Sequence, residues 1–106
     1  MKLNFDMKGH LIPYERIKLN IKEFENFFID QFDSESSRGI IFESYLRFVN
    51  DFQSEITPQF TQWIDGSFVT QKSNPRDIDF VTLIKHDTYK HKRHQIDSKF
   101  KLRKAK

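Results

Sequence analysis

Trp63-Ile64-Asp65-Gly66-Ser67-Phe68, followed after a short polar stretch by Asn74-Pro75-Arg76-Asp77-Ile78-Asp79-Phe80-Val81, decides the fold of this chain. The first run, from Phe60 to Asp65, is short, aromatic and β-branched, so it reads as a strand that Gly66-Ser67 breaks. The second, from Asp77 to Ile84, reads as a more buried strand. Between them, Phe68 to about Lys72 predicts one or two helical turns, and Ser73-Asn74-Pro75-Arg76 is a turn cluster. Side chains two apart in a strand share a face, so Asp77 and Asp79 are expected side by side. Adjacent carboxylates repel unless a cation sits between them, and hard oxygen ligands favour Mg²⁺. Gly66 admits close backbone approach. The N–H groups beyond it, with the Ser67 hydroxyl, suit phosphate oxygens. Metal-binding acids facing a phosphate cradle point to phosphoryl or nucleotidyl transfer.

Working outward, the residues up to about Asn20 are punctuated by Gly9 and Pro13 and predict an extended or irregular arm. Asn20 with Glu23 three positions on is a helix start, and Phe24, Phe27 and Phe28 follow at helical spacing. This helix is expected to end near Asp33-Ser34. A second helix spans about Ser37 to Ile56. Its apolar stripe is Ile41, Tyr45, Phe48, Val49, Phe52 and Ile56, with Arg38, Glu43, Arg47, Asn50 and Asp51 on the remainder. Pro58 closes it. Beyond Lys85 a basic helix is predicted, with Tyr89, Ile96 and Phe100 on one side. The chain therefore reads as a single α/β (α+β) domain over 1–106. It has an arm at 1–19, two helices at 20–56, motif-bearing strands at 59–84 and a basic helix at 85–106.

Composition agrees with one small core. The 106 residues are 37% hydrophobic and 31% charged, and twelve are phenylalanine, each burying a large area. There is no cysteine, which excludes disulfide scaffolds, thiol catalysis and cysteine zinc sites. No apolar run is long enough for a membrane span, and the first residues lack a secretory h-region, so a cytoplasmic protein of bacterial type is expected. Charge is uneven. Residues 85–106 carry nine Lys or Arg against two acids, and the rest of the chain nine against thirteen.

The motif has a relative in known sequence space. Gly66-Ser67, nine intervening residues and Asp77-Ile78-Asp79 resemble the signature of the polymerase-β-like nucleotidyltransferase superfamily, particularly its minimal bacterial members. The string from Ile64 to Val81, with Gly-Ser-Phe-Val-Thr and Asn-Pro-Arg-Asp-Ile-Asp, is similar to an uncharacterised bacterial nucleotidyltransferase-like family. So are the Leu11-Ile12-Pro13 arm and the helix near Asn20. The resemblance implies a nucleotidyltransferase-like mixed sheet with N-terminal helices, and Mg²⁺-dependent transfer of a nucleoside monophosphate from a nucleoside triphosphate to an acceptor hydroxyl. It assigns Gly66 and Ser67 to the nucleotide phosphates, and Asp77 and Asp79 to the metal and catalysis. Minimal members of the superfamily often act as antitoxins that adenylylate a partner toxin, so the resemblance also implies a protein acceptor, with a toxin as partner. Active members carry a third carboxylate on a later strand. Here only Asp87 and Asp97 follow Asp79, both in or beside the basic helix, so the chain is expected to be shortened at its C-terminus. A catalytically incomplete module that binds nucleotide or a partner is the alternative. Two strands alone leave an open edge, so self-association or a partner completing the sheet is expected.

Other side chains have blander readings. Asp65 suits a metal or merely closes a strand in solvent. Lys72 and Arg76 suit a triphosphate but sit in a polar turn, where surface charge is the simpler account. Trp63 suits stacking on a base, yet an aromatic beside Ile64 reads first as core. His91 and His94 share a helix face with His86 near, but no known carboxylate–histidine spacing completes a metal site. The basic tail has only Tyr89 and Phe100 interleaved, so nucleic acid is not expected as a partner.

Overall fold

The computed structural model describes residues 3–100. Helix α1 (Ile21–Phe28) opens on a capping box, the Asn20 side chain accepting from Glu23 N–H at 2.8 Å and the Glu23 carboxylate from Asn20 N–H at 2.9 Å. Such a cap satisfies two backbone donors that water would otherwise have to serve. The helix stops at Phe28, earlier than the expected Asp33-Ser34. The Phe28 carbonyl, which a longer helix would use, accepts instead from the Arg38 guanidinium.

Helix α2 (Arg38–Glu55) is the central element. Its buried face is Arg38, Phe42, Tyr45, Phe48, Val49 and Phe52, with Ile56 just beyond. Two expectations are corrected. Phe42 rather than Ile41 lies fully inside, since a helix of 3.6 residues per turn carries the stripe through 38, 42, 45, 49 and 52. Arg38, expected on the outer face, has no exposed surface at all.

Strands β1 (Asn4–Phe5) and β2 (Leu11–Ile12) form a small antiparallel hairpin inside the arm expected to be extended or irregular. Asp6 organises its turn, accepting from the amides of Lys8 and His10 at 2.9 Å each and from the Tyr14 hydroxyl at 2.6 Å. The Tyr14 hydrogen bond, then the His10 amide, lower the Asp6 pKa below its usual value. A carboxyl with a depressed folded pKa adds stability above its unfolded value and loses it as pH falls through the folded one. Protection of the Lys8 and His10 amides from hydrogen exchange is therefore expected to fade only below the ordinary aspartate range. In Tyr14→Phe it should fade at higher pH. Superimposable wild-type and variant profiles would contradict this.

Strands β3 (Thr61–Asp65) and β4 (Asp79–Leu83) pair antiparallel, from Thr61 opposite Leu83 to Asp65 opposite Asp79. The fold is α+β. Among the described residues the sheets are two antiparallel pairs, in place of the expected mixed sheet, and neither β3 nor β4 has a second neighbour. β4 also starts two residues later than expected, because pairing ends where β3 reaches Gly66.

One face of β3–β4 packs on α2. Phe80 meets Tyr45 and Phe48 edge-on, with ring centroids 5.2 and 4.9 Å away, and Gln62 accepts from the Tyr45 hydroxyl. Phe24, Phe28, Phe42, Tyr45, Val49 and Phe68 form one core cluster. Phe48, Phe52, Ile56 and Phe100 form a second. Burying each phenylalanine contributes about 1.5–3 kcal/mol.

Helix α3 (His86–Gln95) buries no side chain and runs into a π turn at Ile96–Phe100. Phe100 locks that turn against Phe48 and Phe52, whose rings lie 5.4 and 5.1 Å away. The part of the predicted basic helix at 101–106 lies outside the described residues. Among those described, no helix is long and apolar enough to cross a membrane.

Candidate functional site

The site is built where β3 turns over. Gly66 takes φ +82°, which L side chains avoid, and a single 3₁₀ turn (Ser67–Val69) follows. One of the one or two helical turns expected here is present, ending at Val69 rather than about Lys72. A Cβ on Gly66 would stand 2.5 Å from Asp79 Oδ2, so the Asp79 carboxylate lies directly against the Gly66 backbone. The missing side chain at 66 makes the cradle.

Asp77 lies outside β4, contrary to the expected strand. The alternation of exposed and half-buried residues nevertheless runs back through Ile78, which packs on the first cluster, to Asp77. Asp77 and Asp79 therefore both lie on the solvent side, as does Asp65, opposite Asp79 in the ladder. Like charges facing across a ladder weaken a sheet, typically by a few tenths of a kcal/mol to about 1. Among the described residues, none of these three carboxylates has a hydrogen-bonding or ionic partner, nor does the Ser67 hydroxyl. The amides of Ser67 and Phe68 likewise lack an acceptor there, whereas Val69 and Thr70 donate to Gly66 and Ser67 carbonyls at 3.2 Å.

The donor set fits Mg²⁺ that arrives with a phosphate ligand. Carboxylate oxygens are the right hard ligands, and the Asp79 carboxylate stands directly against the Gly66 backbone. No group of three His, Asp or Glu suited to holding a metal occurs among the described residues, so ligand oxygens would have to complete the shell. His86, His91 and His94 form no such group, and His91 Nδ1 lies 2.8 Å from the Asp87 carbonyl.

Beside the turn a cleft of about 980 Å³ opens between the arm from Pro13 to Ile21 and β3. It shares Asp65 and Gly66 with the site, whereas Ser67, Asp77 and Asp79 stand outside its wall. Trp63, expected in the core, is 46% exposed on the outer sheet face, with the Arg16 guanidinium 4.1 Å from its ring centroid. Lys72 and Arg76 are exposed.

The residue that sequence reasoning missed is Arg38. Its Nη1 donates to the Phe28 and Phe68 carbonyls at 2.9 and 2.7 Å, and its Nη2 to Thr70 and Lys72 at 2.7 Å each. Nε reaches Lys72 again at 3.2 Å. All five guanidinium donors thus end on four carbonyls, three of them from the loop after Ser67. Burial pushes the group down to about 10, still charged at neutral pH. The signal was its place on the α2 stripe; its residue type argued the other way.

No curated protein and no solved structure matches this chain. Its sequence matches one family over residues 3–106, nearly end to end. The chain that carries this turn and the buried Arg38 behind it belongs to the family of unknown function DUF6932.

Proposed function

We propose that this protein is a nucleotidyltransferase-like protein that binds a nucleoside triphosphate with Mg²⁺ at the β3–β4 turn and transfers the nucleoside monophosphate to an acceptor hydroxyl, on a protein of the antitoxin-target kind. The observation that carries the reading is the Asp79 carboxylate set against a side-chain-free, positive-φ Gly66. In this reading that contact sets the acid that would hold the metal and the turn that would hold the phosphates within one ligand's reach.

In this reading Asp77 and Asp79 hold the metal on the solvent side of β4. The Ser67 and Phe68 amides and the Ser67 hydroxyl bind phosphate oxygens. When bound, Mg²⁺ offsets negative charge on the phosphates during transfer. The cleft beside Asp65 and Gly66 falls within the size range of small-molecule sites and suits the nucleoside.

A second reading, a nucleotide- or partner-binding module without transfer, is favoured by the lack of any three-acid group among the described residues. The flanks of β3 and β4, unpaired among the described residues, offer such a partner, or a second copy, a strand to add to.

Calorimetric titration with ATP and with GTP, with and without Mg²⁺, tests the site. Binding is expected only with Mg²⁺, and its loss is expected in an Asp77→Asn, Asp79→Asn variant that melts like wild type. Absence of binding, or binding indifferent to both changes, would exclude the site. Transfer of label from α-labelled ATP then separates the two readings.

A further inference from the structure

We propose that Arg38 is a positioning residue for the phosphate-binding turn, acting through the backbone of residues 68–72; this rests on the nucleotide reading above. The guanidinium has no exposed surface and, among the described residues, no carboxylate partner. A protein seldom buries an arginine whose charge no acid balances. Its bonds explain what the charge does here.

Phe68, Thr70 and Lys72 all turn their carbonyls inward onto one planar fork. Alternate carbonyls of a loop held on one centre fix the peptide planes between them. The Phe68 carbonyl belongs to the first residue after Ser67, so its direction limits the turn that presents the Ser67 and Phe68 amides. Neighbouring bonds complete the clamp. The Thr70 hydroxyl donates to the Ser67 carbonyl at 2.7 Å, and the Ser37 hydroxyl to the Pro75 carbonyl at 2.7 Å. The Asn74 side chain accepts from Ser37 N–H at 3.0 Å. The stretch from Phe68 to Pro75, between the two halves of the motif, is thereby tied to the N-terminus of α2. The Phe32 and Phe68 rings, 3.8 and 4.8 Å from the guanidinium carbon, close over the fork.

Lysine keeps the charge but offers three donors on a compact head, and cannot span four carbonyls. Arg38→Lys is therefore expected to weaken Mg·ATP by about tenfold or more, as a loss of geometry at the turn. The control is Phe52→Leu, in the second core cluster on the same helix, which lowers melting without touching the clamp. It is expected to bind Mg·ATP within about twofold of wild type. In wild-type protein, amide resonances of Ser67 and Phe68 should move on adding Mg·ATP, a readout that does not depend on either variant folding. No binding by wild type overturns the nucleotide reading and this inference with it. Wild-type binding that survives in folded Arg38→Lys, or that falls equally in Phe52→Leu, overturns the positioning role alone. So does wild-type binding that leaves the Ser67 and Phe68 amides unmoved.

Discussion

Gly66→Ala is expected to destabilise the fold by about 2–4 kcal/mol and to abolish Mg·ATP binding. Two separate costs add at this position. A residue with a Cβ held at φ +82° costs about 1–2 kcal/mol. The new methyl would also stand 2.5 Å from Asp79 Oδ2, well inside contact distance, so the carboxylate or the turn must move. Either movement spoils the cradle. Gly9 provides the internal comparison. It has φ +84°, yet a Cβ there would come no nearer to another atom than 3.4 Å, from Gln71 Cβ. Gly9→Ala should therefore show the backbone cost alone, about 1–2 kcal/mol. For a domain of this size, 1 kcal/mol moves the melting point by about 4–8 °C, so thermal denaturation resolves the two variants. Equal melting points for them would mean that Asp79 does not stand where this structure places it.

The second large effect is expected from Arg38→Met, at about 3–5 kcal/mol of lost stability. Opposing contributions meet here. Removing a buried charge relieves its desolvation cost, and an apolar chain of similar length fills part of the space. Replacing buried ionic groups by apolar ones is often neutral for that reason, when both partners are replaced. At Arg38 the partners are backbone carbonyls of Phe28, Phe68, Thr70 and Lys72, which no substitution can make apolar. Each acceptor left unpaired inside costs about 1–3 kcal/mol, although the loop's exposed flank lets water reach some of them. The stranded carbonyls outweigh the relieved charge. Urea denaturation of Arg38→Met measures the balance, and a variant as stable as wild type would show that water replaces the fork.

How much of this was legible in the sequence follows from what local chemistry can encode. The capping box at Asn20 and Glu23, the 3.6-residue stripe of α2 and the short aromatic strand before Gly66 depend on residues within a turn or two of each other, and they were readable. The Gly66–Ser67 break was readable for the same reason. The start of β4 was not, because strand length depends on where the partner strand runs out, and β3 runs out at Gly66. The hairpin in the arm also escaped, since its strands are two residues each and its turn relies on a carboxylate accepting three hydrogen bonds. Arg38 escaped for a different reason. Its position on the helix is apolar and its side chain is not, and only the loop folded over it reconciles the two. Trp63 was misplaced inward because a two-stranded sheet has one face that its helices do not cover.

The hairpin at the start of the chain reaches further than its size suggests. The Gln71 amide donates to the Gly9 carbonyl at 2.9 Å, and His10 bridges to Thr70, so the first turn is sewn to the loop behind the Ser67 turn. A single main-chain proton, on Gln71, thus reports from within the loop on whether the N-terminus is docked. Deleting residues 4–12, or fusing a bulky tag against them, would act at a distance on the loop between the motifs. An assay run on such material would report on the handling of the N-terminus as much as on the acids of β4.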